Sequence, residues 1–137
     1  MDQDHDNRPG MYDKVHDFRI KMKLPVGESP TLLSSKVLSF QTRCMLEEIS
    51  ELMLAHERED LVEAADAIVD LVYFAMGTAH AMGLPFERLF DIVHNANLRK
   101  VPGATSRGVE QDAMKPEDWI GPEQEIKELL KDYVHTL

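Results

Sequence analysis

The chain has little cysteine and lacks the histidine patterns of common metalloproteins. Cys44 is the only cysteine in 137 residues, which excludes an intrachain disulfide and a cysteine-based zinc site. The six histidines form no HExxH motif, and no Glu stands three residues before any of them. The ExxH pairs of ferritin-like di-iron bundles are therefore missing. Any metal site in this chain must be built from carboxylates.

Long apolar runs and cationic leader segments are also missing. No apolar stretch approaches the roughly 18 to 20 residues of a membrane span. Residues 1–7 are acidic and polar, so they resemble neither a secretory signal nor a basic amphipathic presequence. We therefore expect a cytoplasmic protein, in the host cytoplasm if a phage encodes it, without a membrane partner.

Positive charge is scarce as well. Lys and Arg number 15 against 25 Asp and Glu, which gives a formal net charge of −10. Because nucleic-acid affinity is supplied largely by Lys and Arg that displace counterions, this balance argues against a nucleic-acid partner. It disfavours an anionic membrane surface for the same reason. With 43% hydrophobic residues, the chain nevertheless has enough apolar material for one packed domain.

The negative charge is concentrated between Met45 and Asp70. This segment holds nine acids and a single base, Arg58, so it carries most of the net charge. A charge run is usually a solvated helix face, so the side on which these acids lie decides their meaning. The nine acids are Glu47, Glu48, Glu51, Glu57, Glu59, Asp60, Glu63, Asp66 and Asp70.

Hydrophobic periodicity predicts helices and no strand. We expect an all-α fold, a bundle of four main helices plus a C-terminal tail helix. Ser34 or Ser35 is the predicted cap of the second helix, Glu59 or Asp60 opens the third, and Gly83 ends it. The predicted helices cover residues 11–23, 35–56, 60–82, 85–100 and 123–135. The chain is predicted to divide into a flexible N-terminus (1–10), a main domain (11–119) and a helical extension (120–137).

The third predicted helix is apolar on most of its sides. It should therefore lie at the centre of the bundle or in an interface between subunits. Four helices around one acidic cluster would not easily shield a ligand alone. We expect the bundle to be completed by oligomerisation, as a homodimer or homotetramer.

Two acidic lines continue the apolar faces of the second and third helices. Glu48 and Glu51 lie three residues apart, about 5 to 6 Å between Cβ atoms, and extend the stripe formed by Val37 and Cys44. On the third helix the line consists of Glu63, Asp66 and Asp70. Buried carboxylates without partners would cost several kcal/mol each or become protonated. A divalent cation is the economical counter-charge, and oxygen ligands favour Mg²⁺ or Mn²⁺.

The alternative is a solvated acidic face. In that interpretation Glu47, Glu51 and Glu63 face water at the rims of the helices. We accept it for the acids that flank the turn, which are Glu57, Glu59 and Asp60. For Glu48, Glu51, Asp66 and Asp70 the two matching lines favour the metal site, with Glu47 and Glu63 as further candidates.

The chain contains an ordered series of short motifs. They are EExxE (Glu47, Glu48, Glu51), DLVY (Asp70 to Tyr73), Gly77, HxxNxxK (His94, Asn97, Lys100) and KPxxW (Lys115, Pro116, Trp119). This series resembles the MazG-like all-α nucleoside triphosphate pyrophosphohydrolases, over about residues 12–119. The superfamily includes dimeric dUTPases and phosphoribosyl-ATP pyrophosphohydrolase, and the small single-domain bacterial and phage proteins are the most similar type.

The second family motif, ExxD, is displaced in this chain. Three residues before Asp70 the sequence has Ala67, whereas Glu63 and Asp66 satisfy ExxD one turn earlier. Similar small phage-type members use an Asp four residues before the final Asp. We therefore assign Asp66 and Asp70 as metal ligands, and the choice between Glu63 and Asp66 stays open.

The resemblance implies Mg²⁺-dependent hydrolysis of a (deoxy)nucleoside triphosphate to the monophosphate and pyrophosphate. Carboxylates would hold two or more ions that neutralise phosphate oxygens and lower the pKa of the attacking water. Glu47 or Glu51 would act as general base. The expected substrate-binding residues are Arg43, Asn97, Lys100, Lys115 and Trp119.

Simpler explanations exist for several of these residues. A cation at Lys100 is favoured by the helix dipole in the last turn of a helix. Trp119 either pins a long loop or stacks on a base. The polar residues of the first helix, Arg19 among them, do not decide between purine and pyrimidine, so the substrate is dGTP, dUTP or another dNTP. A non-catalytic metal- or nucleotide-binding bundle and a helical interaction module remain alternatives.

Overall fold

A computed structural model describes residues 7–134 and confirms the all-α expectation. The described residues form two compact units, divided between Leu84 and Pro85. The first unit contains three helices and the second contains two helices and a short hairpin. The elements are α1 (Met11–Lys21), α2 (Ser35–Glu57), α3 (Leu61–Ala81), α4 (Phe86–Leu98), β1 (Val101–Gly103), β2 (Asp112–Met114) and α5 (Glu123–Lys131).

Local capping signals place the ends of α2 and α3 where the sequence predicts them. Ser34 caps α2, and its Oγ accepts a hydrogen bond from the Val37 N–H at 3.3 Å. Asp60 caps α3 through a 3.0 Å bond from the Glu63 N–H to Oδ1. Gly83 follows the C-cap of α3 with a φ of 67°, a left-handed conformation that favours glycine.

The α2–α3 hairpin forms most of the first unit. The apolar side chains buried in it are small or flexible, such as Ala55, Ala67 and Met76. Many large apolar side chains of both helices stay exposed, among them Leu46 at 62% and Val69 at 61%. The excess apolar surface predicted for α3 is therefore present, and oligomerisation stays a prediction.

Helix α1 packs against the C-terminal half of α3. The Tyr12 and His80 rings are stacked with centroids 3.6 Å apart, and His80 Nε2 lies 2.7 Å from the Tyr12 carbonyl oxygen. The apolar residues at this helix differ in burial: Val15 is buried, whereas Phe18 and Met22 are 38% and 49% exposed. The most buried polar side chain on this helix is Arg19.

The second unit corrects the expectation that the chain has no strand. Val101–Gly103 pairs antiparallel with Asp112–Met114, in a stretch whose Gly and Pro content indicates only a loop. The loop between the strands is held by Arg107, whose Nη2 and Nε both lie 2.7 Å from the Asp112 carboxylate. Three-residue strands are too short to show a period-2 pattern, so this hairpin had no usable sequence signal.

Several helix ends are also earlier than predicted. Helices α1, α4 and α5 end at Lys21, Leu98 and Lys131. Pro85 and Pro122 are N-cap residues and lie just outside the helices that follow them. The predicted end of α5 at His135 and the predicted N-terminal segment up to residue 6 fall outside the described residues.

Among residues 7–134, no single helix is long and apolar enough to cross a membrane. Helices α3 and α4 reach the required length and composition only when taken together across the break between them, which is weak evidence for a span.

Candidate active site

Glu48 is the centre of the candidate site on the α2–α3 hairpin. Its side chain is half-buried, and its Oε2 atom is fully buried without a hydrogen-bond partner. It is the only such side-chain atom in the part of the chain that the structure describes. Burying a carboxylate oxygen without a hydrogen-bond donor costs free energy, and a bound cation would offset that cost.

Three other predicted ligands surround Glu48. The pKa of Glu48 is raised to about 7, first by burial, then by a hydrogen bond with Glu51 and by the negative charges of Glu51, Asp70 and Asp66. The structure therefore brings one pair of acids from each helix into the same electrostatic environment. Asp70 is half-buried, whereas Glu51 and Asp66 are exposed. Burial and like charge both favour the protonated form of Glu48.

The four carboxylates do not converge on one point. Within residues 7–134, no three Asp, Glu, His or Cys side chains are close enough to form a complete ligand set. The four residues share the α2–α3 surface, where Glu51, Asp66 and Asp70 act on Glu48 without forming a complete ligand set with it. The metal assignment therefore stays a prediction.

The remaining predicted acids and Arg43 lie at the edge of this surface. Glu47 is exposed, and its charge acts on the neighbouring Cys44, where burial first raises the thiol pKa and Glu47 adds to the effect. Arg43 is also exposed and acts on Cys44 in the opposite direction. Glu63 is exposed in the first turn of α3, where Asp60 holds its backbone N–H. Of the two open candidates, Asp66 is the one that acts on Glu48.

In the second unit, Asn97 and Lys100 line one open cavity of about 470 Å³. The cavity is completed by the hairpin residues Val101, Pro102 and Ala113, with Gln111 and Asp112. Asn97 comes from the last turn of α4, and Lys100 lies two residues beyond the end of that helix. The structure thus places Asn97 and Lys100 of the HxxNxxK motif at a single depression.

Trp119 lies next to both predicted substrate-binding lysines of this unit, Lys100 and Lys115. Lys100 Nζ lies 5.3 Å and Lys115 Nζ 4.9 Å from the centroid of its ring. Its indole Nε1–H donates to the Ala96 carbonyl at 2.8 Å, which fixes the loop to α4. Two ammonium groups held at one aromatic ring form a positive cluster in an otherwise acidic chain.

The structure adds two buried polar residues that the sequence analysis did not assign to a site. Arg19 is 5% exposed and Gln41 is 4% exposed. Both stand at core positions of their helices: Arg19 follows Val15 by four residues, and Gln41 precedes Glu48 by two turns. A polar residue on an apolar stripe was the available signal for both.

The chemistry of the donor set fits a hard divalent cation. Carboxylate oxygens alone are the ligands that Mg²⁺ and Mn²⁺ prefer. Glu48 Oε2, buried and without a donor, is the atom that such an ion would satisfy. A bound cation would also lower the Glu48 pKa, since it favours the charged carboxylate.

Comparison with known proteins supports the resemblance found in the sequence. A sequence model of the phosphoribosyl-ATP pyrophosphohydrolase family matches residues 15–97, more than half of the chain. The matched range includes every predicted carboxylate ligand and Asn97, and it ends before Lys100, Lys115 and Trp119. No curated protein is significantly similar to the chain.

Proposed function

This chain belongs to the phosphoribosyl-ATP pyrophosphohydrolase family, and from this premise we propose that it hydrolyses a (deoxy)nucleoside triphosphate, such as dGTP or dUTP, in a Mg²⁺-dependent reaction. Membership makes it a pyrophosphohydrolase that acts on nucleotide phosphates. The proposed products are the nucleoside monophosphate and pyrophosphate.

The environment of Glu48 is the observation that carries this proposal. A protein that had no use for Glu48 would bury an apolar side chain there, because a carboxyl group among three other acids destabilises the fold. Its buried Oε2 has no donor, and the charges of Asp66, Asp70 and Glu51 all oppose its ionisation. A site that holds cations with a polyphosphate accounts for this arrangement.

Glu48, Glu51, Asp66 and Asp70 would hold the metal, with Glu47 and Glu63 as additional candidates. Bound Mg²⁺ would offset the negative charge of the phosphate oxygens and make water a stronger nucleophile near neutral pH; Mn²⁺ would serve similarly. Two or more ions fit the number of carboxylates. We propose no nucleic-acid or membrane partner.

Glu51 and Glu47 are the candidates for the general base, since both are exposed on α2 beside Glu48. One of them takes a proton from the attacking water as its oxygen bonds to phosphorus. The bridging bond between the α and β phosphates breaks, and pyrophosphate leaves with the bond electrons.

Positive groups are proposed to bind the phosphates. Lys100 and Lys115 at the Trp119 ring supply two ammonium charges, and Asn97 supplies amide donors. Arg43 on α2 is a further candidate. These assignments rest on the motifs and on the clustering of the two lysines.

We also propose that the chain assembles as a homodimer or homotetramer. Exposed Leu61 (82%), Val62 (77%) and Val69 (61%) on α3 would stay in water in a lone subunit. Sedimentation analysis should give a dimer or tetramer at micromolar concentration. A stable monomer would contradict this part of the proposal.

Product analysis of site variants tests the function. With Mg²⁺ and a panel of dNTPs, the wild type should release pyrophosphate and a monophosphate, and Glu48→Ala and Asp70→Ala should lose at least about 100-fold in kcat/KM while circular dichroism stays unchanged. Glu57→Ala, an exposed acid at the end of α2, is the matched control and should keep full activity. Unchanged turnover in both site variants would refute the assignment.

The family's name supplies one further substrate for the panel, phosphoribosyl-ATP. Preference for it over every dNTP would replace the proposed substrate and keep the pyrophosphohydrolase activity. Stabilisation by Mn²⁺ without turnover of any nucleotide would favour the non-catalytic bundle.

A further inference from the structure

Arg19 is a buried cation that has no negative partner among residues 7–134. Its Nε donates to the Pro25 carbonyl oxygen at 2.9 Å, which is the one hydrogen bond that its guanidinium makes within residues 7–134. Burial lowers the pKa of Arg19, and no acid of the described part of the chain contributes to that shift. An arginine held this way in a chain of net charge −10 has donors available for a ligand.

Gln41 on α2 presents a free acceptor. Thr78 donates its only hydroxyl proton to the Phe74 carbonyl at 2.8 Å, so Thr78 Oγ1 must accept the 3.0 Å hydrogen bond from Gln41 Nε2. This fixes the orientation of the amide. Gln41 Oε1 is then the atom left to accept, and within the described residues no donor reaches it.

Gly77 brings the two side chains together. A Cβ atom at this position would lie 3.0 Å from Arg19 Nη1 and 3.7 Å from Gln41 Nε2, so α1 and α2 both approach α3 at this glycine. Both side chains are at least nine-tenths buried. Because Glu48 Oε2 is the only fully buried unpartnered side-chain polar atom among residues 7–134, the free atoms of Arg19 and Gln41 are not fully buried.

The pair lies on the same helices as the acidic site, at a defined spacing. Gln41 precedes Glu48 by seven residues on α2, and Gly77 follows Asp70 by seven on α3. Seven residues correspond to about 10 Å along a helix. That spacing is comparable with the separation of the phosphates from the base in an extended nucleotide.

We infer, on the basis of the proposed function, that Arg19 and Gln41 recognise the base of the nucleotide and select bases that have a lactam edge. In such an edge a carbonyl oxygen stands next to a ring N–H, as in guanine, hypoxanthine, uracil and thymine. Arg19 donates to the carbonyl and Gln41 Oε1 accepts from the ring N–H. Adenine and cytosine carry an amino donor and a ring-nitrogen acceptor in these places, so they leave both side chains unpaired.

Matched nucleotide pairs test this inference on the wild-type protein. The first pair is the deoxynucleoside triphosphate of hypoxanthine against that of unsubstituted purine, and the second is that of uracil against 2-pyrimidinone. Each pair differs only in the lactam group. We expect kcat/KM to favour the lactam member by roughly 10- to 100-fold in at least one pair, the value of hydrogen bonds that include a charged donor. The pair that discriminates shows whether the base is a purine or a pyrimidine.

Variants then connect the preference to the two residues. Arg19→Lys and Gln41→Met should bring the ratio within a pair close to 1, and exposed Lys21→Gln on α1 should leave it unchanged. The ratio is measured within one preparation, so partial unfolding of a variant does not alter it. A merely structural Arg19 would lower the melting temperature and keep the ratio.

Two results would overturn the inference while the proposed function stands. One is a wild-type ratio near 1 in both pairs, and the other is an unchanged ratio in both variants. If no triphosphate of any base is cleaved, the proposed function itself fails, and the inference fails with it.

Discussion

Replacing Glu48 by Gln should stabilise the protein in the absence of metal. The carboxyl group has a pKa raised from 4.5 to about 7, so the folded state holds its proton more tightly than the unfolded state. As pH rises from about 4.5 through 7, stability is lost, and at pH 8 the full cost of the charged group is present. Gln is nearly isosteric, carries no charge, and its amide can donate to Glu51 or Asp70.

The size of the effect follows from the pKa shift. Each pKa unit corresponds to 1.36 kcal/mol, so the shift sets an upper limit of about 3 kcal/mol. Glu48 is only half-buried, and solvent screening reduces this to about 1 to 2 kcal/mol. For a chain of 137 residues, the melting temperature should rise by about 4 to 8 °C.

The assay is thermal unfolding of both proteins in EDTA at pH 8 and at pH 5, followed by circular dichroism. The gain should be largest at pH 8 and should shrink at pH 5, where Glu48 is protonated in the wild type. Glu47→Gln, an exposed neighbour, should change the melting temperature by about 1 °C or less. If Glu48→Gln lowers the melting temperature at pH 8 without metal, the description of Glu48 as an unsatisfied acid is wrong.

Three further outcomes are expected. Gly83→Ala should lower the free energy of unfolding in urea by about 2 to 4 kcal/mol, because the new Cβ would lie 2.6 Å from the Ser29 carbonyl oxygen. Gly108→Ala, also at positive φ but with open space around it, should lower it by about 1 kcal/mol. Equal losses of stability would exclude the steric reason. Ser34→Ala should cost about 1 kcal/mol through loss of the α2 cap, and a loss below a few tenths would show that the cap is dispensable. Lys115→Ala should raise KM for the triphosphate several-fold with little change in kcat, and an unchanged KM would remove Lys115 from the proposed phosphate contacts.

Helix ends with a chemical cap were predictable from the sequence. Ser34, Asp60 and Gly83 each act through their own side chain or backbone conformation, so local chemistry fixes their positions. The β1–β2 hairpin was not predictable. It depends on Arg107 holding Asp112 across a loop, and a contact of that kind leaves no periodic trace in the sequence.

The candidate site also contains residues that the sequence predicted and residues that it did not. Spacing alone indicated that Glu48 and Asp70 lie on facing surfaces of two helices, and the structure brings their charges together. Spacing places Arg19 on the apolar stripe of α1, but it does not show that Arg19 has no acid partner among the described residues. Oligomerisation, the metal ions and the substrate stay predictions because each depends on another molecule: a second subunit, a cation or a nucleotide.

The most direct test of the central claim is the product ratio of nucleotide hydrolysis as a function of Mg²⁺. The claim is that carboxylates centred on Glu48 use a divalent cation to cleave between the α and β phosphates. The account predicts equal amounts of monophosphate and pyrophosphate, rising with Mg²⁺ and absent in EDTA. Release of orthophosphate and a nucleoside diphosphate, or turnover that persists in EDTA, would contradict it.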